Sequence, residues 1–292
     1  MSKRRDLIKY REALLEIGEI MKAMKNMALV EQRKISRYFE SQKVAIDTLQ
    51  NIANDFFPAF PDLLPRTQLE RPLYILIGSE RGFCGDFNSS LVGFWEELEK
   101  SSTLSNSYGL ILVGSKLESR ATSLKKIIKA VSGPSVAEEI YPFIIDFLDT
   151  VRNCLIENEH PTSISVFFHM ADSFEIEKKT LLPIPVSKEK ILAAKKKAPP
   201  VPLLQVNARE FFEDLLDNFL MAGFFFAFYS SLLAESKIRM QHMQSALDQL
   251  EKQVGELNKK ANRLRQEEIT EEIEVILLGS EALKKKAKKE ID

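Results

Sequence analysis

"DLIKYREALLEIGEIMKAMKNMALVEQRKISRYFESQKVAIDTLQNIANDFF", residues 6–57, is the stretch that decides the fold. Leu7, Tyr10, Leu14, Ile17, Met21, Met24, Ala28, Glu31, Ile35, Tyr38, Gln42, Ala45, Leu49, Ile52 and Phe56 recur at alternating steps of three and four. That is the spacing of a heptad seam, and only Glu31 and Gln42 break its apolar character. Gly18 is the one glycine in the run, and Pro58 ends it. The pattern predicts a helix over about residues 3–57, roughly 80 Å long at about 1.5 Å per residue. A compact domain has no use for so long a helix in its own core, so the seam calls for a partner.

The other end of the chain supplies one. Met243, Leu247, Leu250, Val254, Leu257, Ala261 and Leu264 again alternate four and three. Helical character begins at "NAREFFEDLL", where Asn207 is placed to cap and Glu210 stands in a capping-box position, and it continues to about Leu283. After Leu264 the seam slips by one position, to Ile269, Ile273, Ile276 and Leu277, and the slip is filled by "RQEE", Arg265 to Glu268. Such a shift turns the apolar stripe around the helix, either as a harmless stutter or to face a different partner. Two seams at opposite ends of one chain pair most simply as an intramolecular antiparallel coiled coil.

Between them the period changes. "PLYILIG" (72–78) and "GLILVG" (109–114) are short apolar runs bounded by glycine, followed by helical stretches at 87–100 and 115–126. "IIKAV" (127–131), a helical 135–157 and "SISVFFHM" (163–170) continue the alternation, which predicts a small parallel or mixed α/β sheet. "FEIEKKTLLPIPV" (174–186) reads as an edge strand because Pro183 and Pro185 cannot donate to a central ladder. "AAKKKAPPVP" (193–202) reads as a linker, its lysines solvated and without the aromatics of a nucleic-acid surface. The expected division is an N-terminal helix over 1–57, a central α/β domain with its linker over 58–202, and a C-terminal helix with a basic tail over 203–292.

Composition narrows the function. Lys and Arg nearly balance Asp and Glu, for a formal net charge of -1, so no global field favours nucleic acid or anionic lipid. Cys84 and Cys154 form no C-x-x-C pair and the three histidines show no metal-ligand spacing, which reads as reduced thiols in an intracellular chain. The apolar run "FLMAGFFFAFYSSLLA" (219–234) is shorter than the roughly 20 residues of a membrane span and reads as a buried helix segment.

"GSERGFCGDFNSSL" (78–91) lies between a strand and a helix, where ligands bind in open α/β sheets. Its glycines Gly78, Gly82 and Gly85 do not form G-x-G-x-x-G, and no histidine stands near Cys84 in sequence. A nucleotide site, a nucleophilic thiol and a plain turn remain open from spacing, with the turn favoured.

Three blocks resemble the gamma subunit of F-type ATP synthases. "IMKAMKNMA" (20–28) is similar to that family's I-T-K-A-M-K-M-V-A block, and residues 78–91 to its S-D-R-G-L-C-G-G-F-N-S-N-L turn. "AESKIRMQHMQSA" (234–246) with "LNKKANRLRQEEITEEIEVILLGSEAL" (257–283) is similar to S-E-x-x-A-R-M-x-A-M and N-x-x-R-Q-A-x-I-T-x-E-L-x-E-I-x-x-G-A-x-A-L. The resemblance implies a small Rossmann-like α/β domain inserted between two long helices that form an antiparallel coiled coil. It implies a central shaft inside a ring of alpha and beta subunits, with the epsilon subunit and the c-ring at its other end, on the cytoplasmic face of the membrane. It implies a part that is mechanical and not enzymatic, with no cofactor, no metal and no nucleic acid. Arg265, Gln266 and Thr270 match positions that meet a catch loop of beta, while Met24, Lys25, Glu80, Arg81 and Cys84 match positions near its lever.

The departures are specific. Asp86 replaces the family's second glycine, Glu80 replaces an aspartate and Met21 a threonine, while "KKKAKKEID" (284–292) adds a basic tail where relatives end on apolar residues. The tail is expected to project beyond the apolar sleeve that the resemblance implies, since lysines are costly to bury. The rival readings are a coiled-coil tether and a nucleotide-binding α/β enzyme using the 78–91 turn.

Overall fold

The computed structural model describes residues 2–63, 72–101, 108–157, 163–187 and 202–289. The linker 193–202, apart from its last residue, and the side chains of the basic tail lie outside the described residues. In chain order the elements are helix α1 (Ser2–Ala59), strand β1 (Pro72–Ile77), helix α2 (Phe87–Lys100), strand β2 (Gly109–Val113), the short helix α3 (Ser115–Glu118) and strand β3 (Ile127–Val131). Helix α4 (Ala137–Glu157), strands β4 (Ser163–His169) and β5 (Ile176–Leu182), and helix α5 (Ala208–Lys289) follow. The stretch expected to be helical over 115–126 keeps only the four residues of α3. Pro58 falls inside the last turn of α1 and does not end it.

By contacts the chain divides into one unit of residues 27–242 and another of residues 1–26 with 243–292. In the first, five strands form one sheet in the order β3-β2-β1-β4-β5. The first four are mutually parallel and β5 runs antiparallel to β4 at the edge, ending at Leu182 before Pro183. Strands β1 and β4 are buried along their whole length, as expected when both faces of a parallel sheet are covered.

The period of two sorts their side chains between two cores. Leu73, Ile75, Ile77, Ile111, Val113, Ile164, Val166 and Phe168 face a large core shared with α1, α4 and α5. Tyr74, Leu76, Leu110, Leu112 and Phe167 face a smaller one with Leu91, Val92 and Trp95 of α2. Trp95 is fully buried and meets Tyr74, Tyr108 and Phe167 edge-on at centroid distances of 5.1, 5.5 and 5.4 Å.

The apolar stretch of α5 crosses the large core. Phe226 stacks on Phe39 of α1 and meets Phe168 of β4 edge-on, while Phe224 and Phe228 meet Phe147 of α4. By composition α5 holds a window apolar enough to cross a membrane, but 83% of that window is buried inside the protein. It is a core helix surrounded by aromatic neighbours.

In the second unit, α1 and α5 pair antiparallel. Arg4 meets Glu268 at 3.2 Å, the Arg11 guanidinium donates to Asn258 Oδ1 at 3.2 Å, Gly18 packs on Leu250, and Lys25 donates to Gln244 at 2.9 Å. The α5 seam is as predicted: Met243, Leu247, Leu250, Val254, Leu257, Ala261 and Leu264 are all buried or half-buried. Along α1 one row of the predicted seam holds, and the other holds at Met24, Glu31 and Ala45 but is displaced by one residue at the remaining positions.

The row Leu7, Leu14, Met21, Ala28, Ile35, Gln42, Leu49 and Phe56 faces inward. The second row centres on Gly18, Phe39, Ile46 and Ala53, leaving Tyr10, Ile17, Tyr38 and Ile52 exposed. Apolar residues flank the shared row on both sides, so the period fits either flank, and the side on which α5 and the sheet lie selects one.

Candidate functional site

Three regions carry the predicted contact residues, the turn after β1 in the larger unit and, in the smaller, the slip on α5 and Met24 and Lys25 on α1. The turn starts as an extension of the sheet, with Gly78 N–H donating to Val113 O at 2.9 Å. Ser79 then exchanges two hydrogen bonds with Asn88 in the first turn of α2, N–H to Oδ1 at 2.9 Å and Nδ2 to Oγ at 2.8 Å. This pair brings the start of α2 back onto the end of β1.

Glu80 points inward. Its carboxylate accepts from Ser115 N–H at 2.9 Å, the Ser115 hydroxyl at 2.6 Å and Gly133 N–H at 2.8 Å. Burial raises its pKa, but these three donors and the nearby Lys116 ammonium outweigh burial and hold the carboxyl below its ordinary value. The carboxylate thus occupies the backbone donors after β2 and β3 that a bound phosphate would need. A nucleotide site at this turn loses its physical basis.

Cys84 is buried, and its thiol donates to Arg81 O at 3.1 Å. Burial, with the Glu235 carboxylate beside it, pushes the thiol pKa up, the opposite of what a nucleophile requires. Cys84 packs with Phe87 and Ala234 into a small core that belongs to the turn and α5.

Helix α5 holds the turn from the other side. Ser231 donates to Ile77 O at 3.3 Å and Ser230 to His169 O at 3.2 Å, which fixes the helix across the carboxyl ends of β1 and β4. About two turns further on, Arg239 donates through Nε to Gly82 O at 3.3 Å and lies with Nη2 3.8 Å from Cys84 Sγ, while pairing with the buried Glu235. Burial pushes the Glu235 carboxyl up to about 7 against the pull of Arg239. Gly85 takes φ +57 with its Cα against the His242 ring.

Asp86, in place of the family's second glycine, has φ −89 and ψ 6, a negative φ that does not require glycine. Arg81 and Asp86 are exposed. Phe83 projects outward with 67% of its surface accessible and a backbone φ of 64. The one sequence signal of Phe83 is a bulky residue between the glycines of G-F-C-G. Arg239 and His242 reach the turn from more than 150 residues away in sequence, so local spacing carries no signal for them.

On α5, Arg265, Gln266 and Thr270 are exposed, and the Thr270 hydroxyl donates back to Gln266 O at 2.9 Å. The slip coincides with the end of the partner helix. Arg4, at the start of α1, already pairs with Glu268, and the apolar residues beyond it, Ile269, Ile273, Val275, Ile276, Leu277 and Leu278, are all exposed. Met24 and Lys25 are half-buried on α1, with Lys25 held to Gln244. Among the described residues no group of His, Cys, Asp and Glu side chains is arranged to hold a metal ion.

The fold defines a class in which an α/β domain is inserted, along the chain, between two long terminal helices that pair with each other. Residues 6–283 match the family described as ATP synthase. The ATP synthase gamma chain of Trichlorobacter lovleyi is 26% identical over 278 residues, covering 91% of this chain and 93% of that one. That of Lachnoclostridium phytofermentans is 25% identical over 295 residues, covering 97% and 100%.

Among solved structures, a chain of the Euglena gracilis mitochondrial ATP synthase in rotational state 3 superimposes with a TM-score of 0.63 at 15% identity, covering 97% of this chain and 95% of that one. A chain of the Tetrahymena thermophila central stalk and c-ring structure gives 0.57 at 17% identity, covering 78% and 99%. The chain belongs to the ATP synthase gamma-subunit family.

Proposed function

We propose that this chain is the central shaft of an F-type ATP synthase, transmitting rotation between a membrane c-ring and the catalytic sites of an alpha and beta ring, without making or breaking bonds itself. The observation that carries the reading is the end of α5, which continues past the start of α1 with its apolar residues exposed. An exposed apolar helix end is unfavourable in water and suits a helix seated in a surrounding sleeve. In this reading Arg265, Gln266 and Thr270 meet a catch loop of beta at the mouth of that sleeve. Met24 and Lys25 on α1, and the turn holding Glu80, Arg81 and Cys84, lie along the path of its lever.

The segments 1–57 and 203–292 form the shaft, and 58–202 forms the body that bears on the epsilon subunit and the c-ring. As a gamma subunit the protein belongs to the catalytic head, peripheral to the membrane, and we place that head on the cytoplasmic face. Coupling then reduces to a difference in contact free energy between the shaft and the successive states of the ring. Tagging the chain in its host and identifying what co-purifies tests this. Alpha and beta subunits recovered in threefold excess, with ATPase activity in the complex and none in the chain alone, is the expected result. A chain recovered alone from a host that contains those subunits would overturn it.

A further inference from the structure

Arg239 of α5 is buried, and its guanidinium meets three groups: the Glu235 carboxylate one turn back along the helix, Gly82 O at 3.3 Å and Cys84 Sγ at 3.8 Å. Of these the carboxylate alone carries a formal charge, since burial holds the Cys84 thiol in its protonated form. A buried guanidinium stripped of its counter-charge is unfavourable, so the seat of Arg239 on the turn depends on the charge of Glu235. Glu235 is itself buried, but with Ile77, Gly78, Pro134 and Ser231 it lines a partly open cleft of about 10 Å³, room for about one water molecule. That cleft gives solvent protons a way to a side chain otherwise closed off.

We propose that Glu235 and Arg239 form a proton-controlled latch on the turn after β1: while the carboxyl is ionised it holds Arg239 against Gly82 and Cys84, and once it is protonated the guanidinium swings out to solvent and the turn loosens. Burial pushes Glu235 up to about 7, while the Arg239 guanidinium pulls it down. By linkage, a proton on Glu235 weakens the hold on Arg239 by the same factor with which Arg239 opposes the proton. The carboxyl stays in place when the arginine leaves, because α5 seats Glu235 beside β1 and Pro134. The groups that face it are Cys84, Arg81 and Glu80 from the turn and Arg239 from α5, while β1 and the segment after β3 bring Ile77, Gly78 and Pro134, which do not titrate. Glu80, held below its ordinary value, and Cys84, raised above its own, each keep one protonation state between about pH 6 and about pH 8.

The latch and the fold as a whole respond in opposite senses. Lowering the pH through about 7 neutralises a buried carboxylate and so raises the contribution of Glu235 to global stability, but it removes the counter-charge of Arg239 and frees the turn. Hydrogen–deuterium exchange of the full-length chain, read on peptides across residues 79–90 and corrected for the intrinsic pH dependence of exchange, separates the two. The Phe87 N–H, bonded to Cys84 O at 3.2 Å, and the Ser79 N–H, bonded to Asn88 Oδ1 at 2.9 Å, report the turn. Wild type is expected to be about fivefold less protected there at about pH 6 than at about pH 8. Glu235→Gln, neutral at every pH, is expected to match the low-pH wild type throughout, with no pH step.

Wild-type protection that is flat across this range, or that rises as the pH falls, would overturn the proposal, and this comparison requires no variant to fold. The same pH step in Glu235→Gln would also overturn it, because His242, whose exposed ring lies against Gly85, is retained there and would then be the source. Arg239→Met, which cannot hold Gly82, is expected to leave the turn loose at both ends of the range, and high protection in it would remove Arg239 as the latch. None of these readouts involves a partner subunit, so the result stands apart from the shaft reading.

Discussion

The His242 ring stands where a side chain at Gly85 would have to go, since a Cβ there would lie 1.9 Å from Nε2. Yet His242 is exposed, so its ring can turn aside, and what remains is the left-handed backbone at φ +57. Gly85→Ala is therefore expected to cost about 1–2 kcal/mol. Gly114 is different: its φ is +112 and a Cβ would lie 2.7 Å from Ser79 O, a backbone atom in the well-fixed turn. Gly114→Ala should cost at least ~3 kcal/mol. Urea denaturation of both variants gives the order directly, and equal costs would contradict it.

The buried Glu235 links stability to pH. Its folded pKa, about 7, lies above its ordinary value of 4.5, so the folded state binds this proton more tightly than the unfolded chain. The associated stabilisation is complete below the unfolded value and is lost as pH rises through the folded one. Glu80 acts in the opposite sense: its depressed pKa adds stability above the ordinary value, lost as pH falls through the folded one. Between about pH 5 and about pH 7, wild type should lose roughly 2 kcal/mol relative to Glu235→Gln. Denaturation midpoints measured across that window check it, and parallel profiles would remove Glu235 as the source.

The start of α5 depends on a single side chain. Asn207 Oδ1 accepts from Arg209 N–H at 2.7 Å and from Glu210 N–H at 3.4 Å. Asn207→Ala is expected to destabilise the chain by about 1 kcal/mol, and Asn207→Ser or Asp to restore most of it. Thermal unfolding of the three variants distinguishes a cap from a tertiary contact, which serine could not replace.

Cys84 should be slow to react. A thiol that is buried, hydrogen-bonded to Arg81 O and pushed up in pKa offers little thiolate. Alkylation of the native chain by iodoacetamide near pH 8 is expected to be at least about tenfold slower at Cys84 than in the urea-unfolded chain. Peptide mapping by mass spectrometry reads this site by site.

Arg265 and Gln266 are exposed, so removing their side chains should leave the fold intact. Replacing both by alanine is expected to keep the melting temperature within about 1 °C, as for exposed sites generally. In the assembled complex the same pair should lower ATPase activity severalfold. Wild-type activity there would count against the catch assignment.

The sequence by itself determined the long helices and the strands, because these follow from periodicity, and periodicity is local; the two distant seams pointed to antiparallel pairing, and Pro183 and Pro185 to the edge position of β5. It also placed the slip at Arg265–Glu268, although only the structure shows that Glu268 there pairs with Arg4 of α1. Tertiary structure alone decided which flank of α1 turns inward, since both flanks are apolar and the choice depends on where the neighbours lie.

It alone separated the turn's residues into those facing inward and outward. Glu80 and Cys84 are polar or reactive types that a reader assigns to a surface or a reaction, yet Ser115, Gly133 and Arg239, distant in sequence, draw them in. Phe83, a type assigned to the core, is left outside. Spacing along a chain fixes which residues share an element, and only the packing of distant elements fixes what each side chain meets.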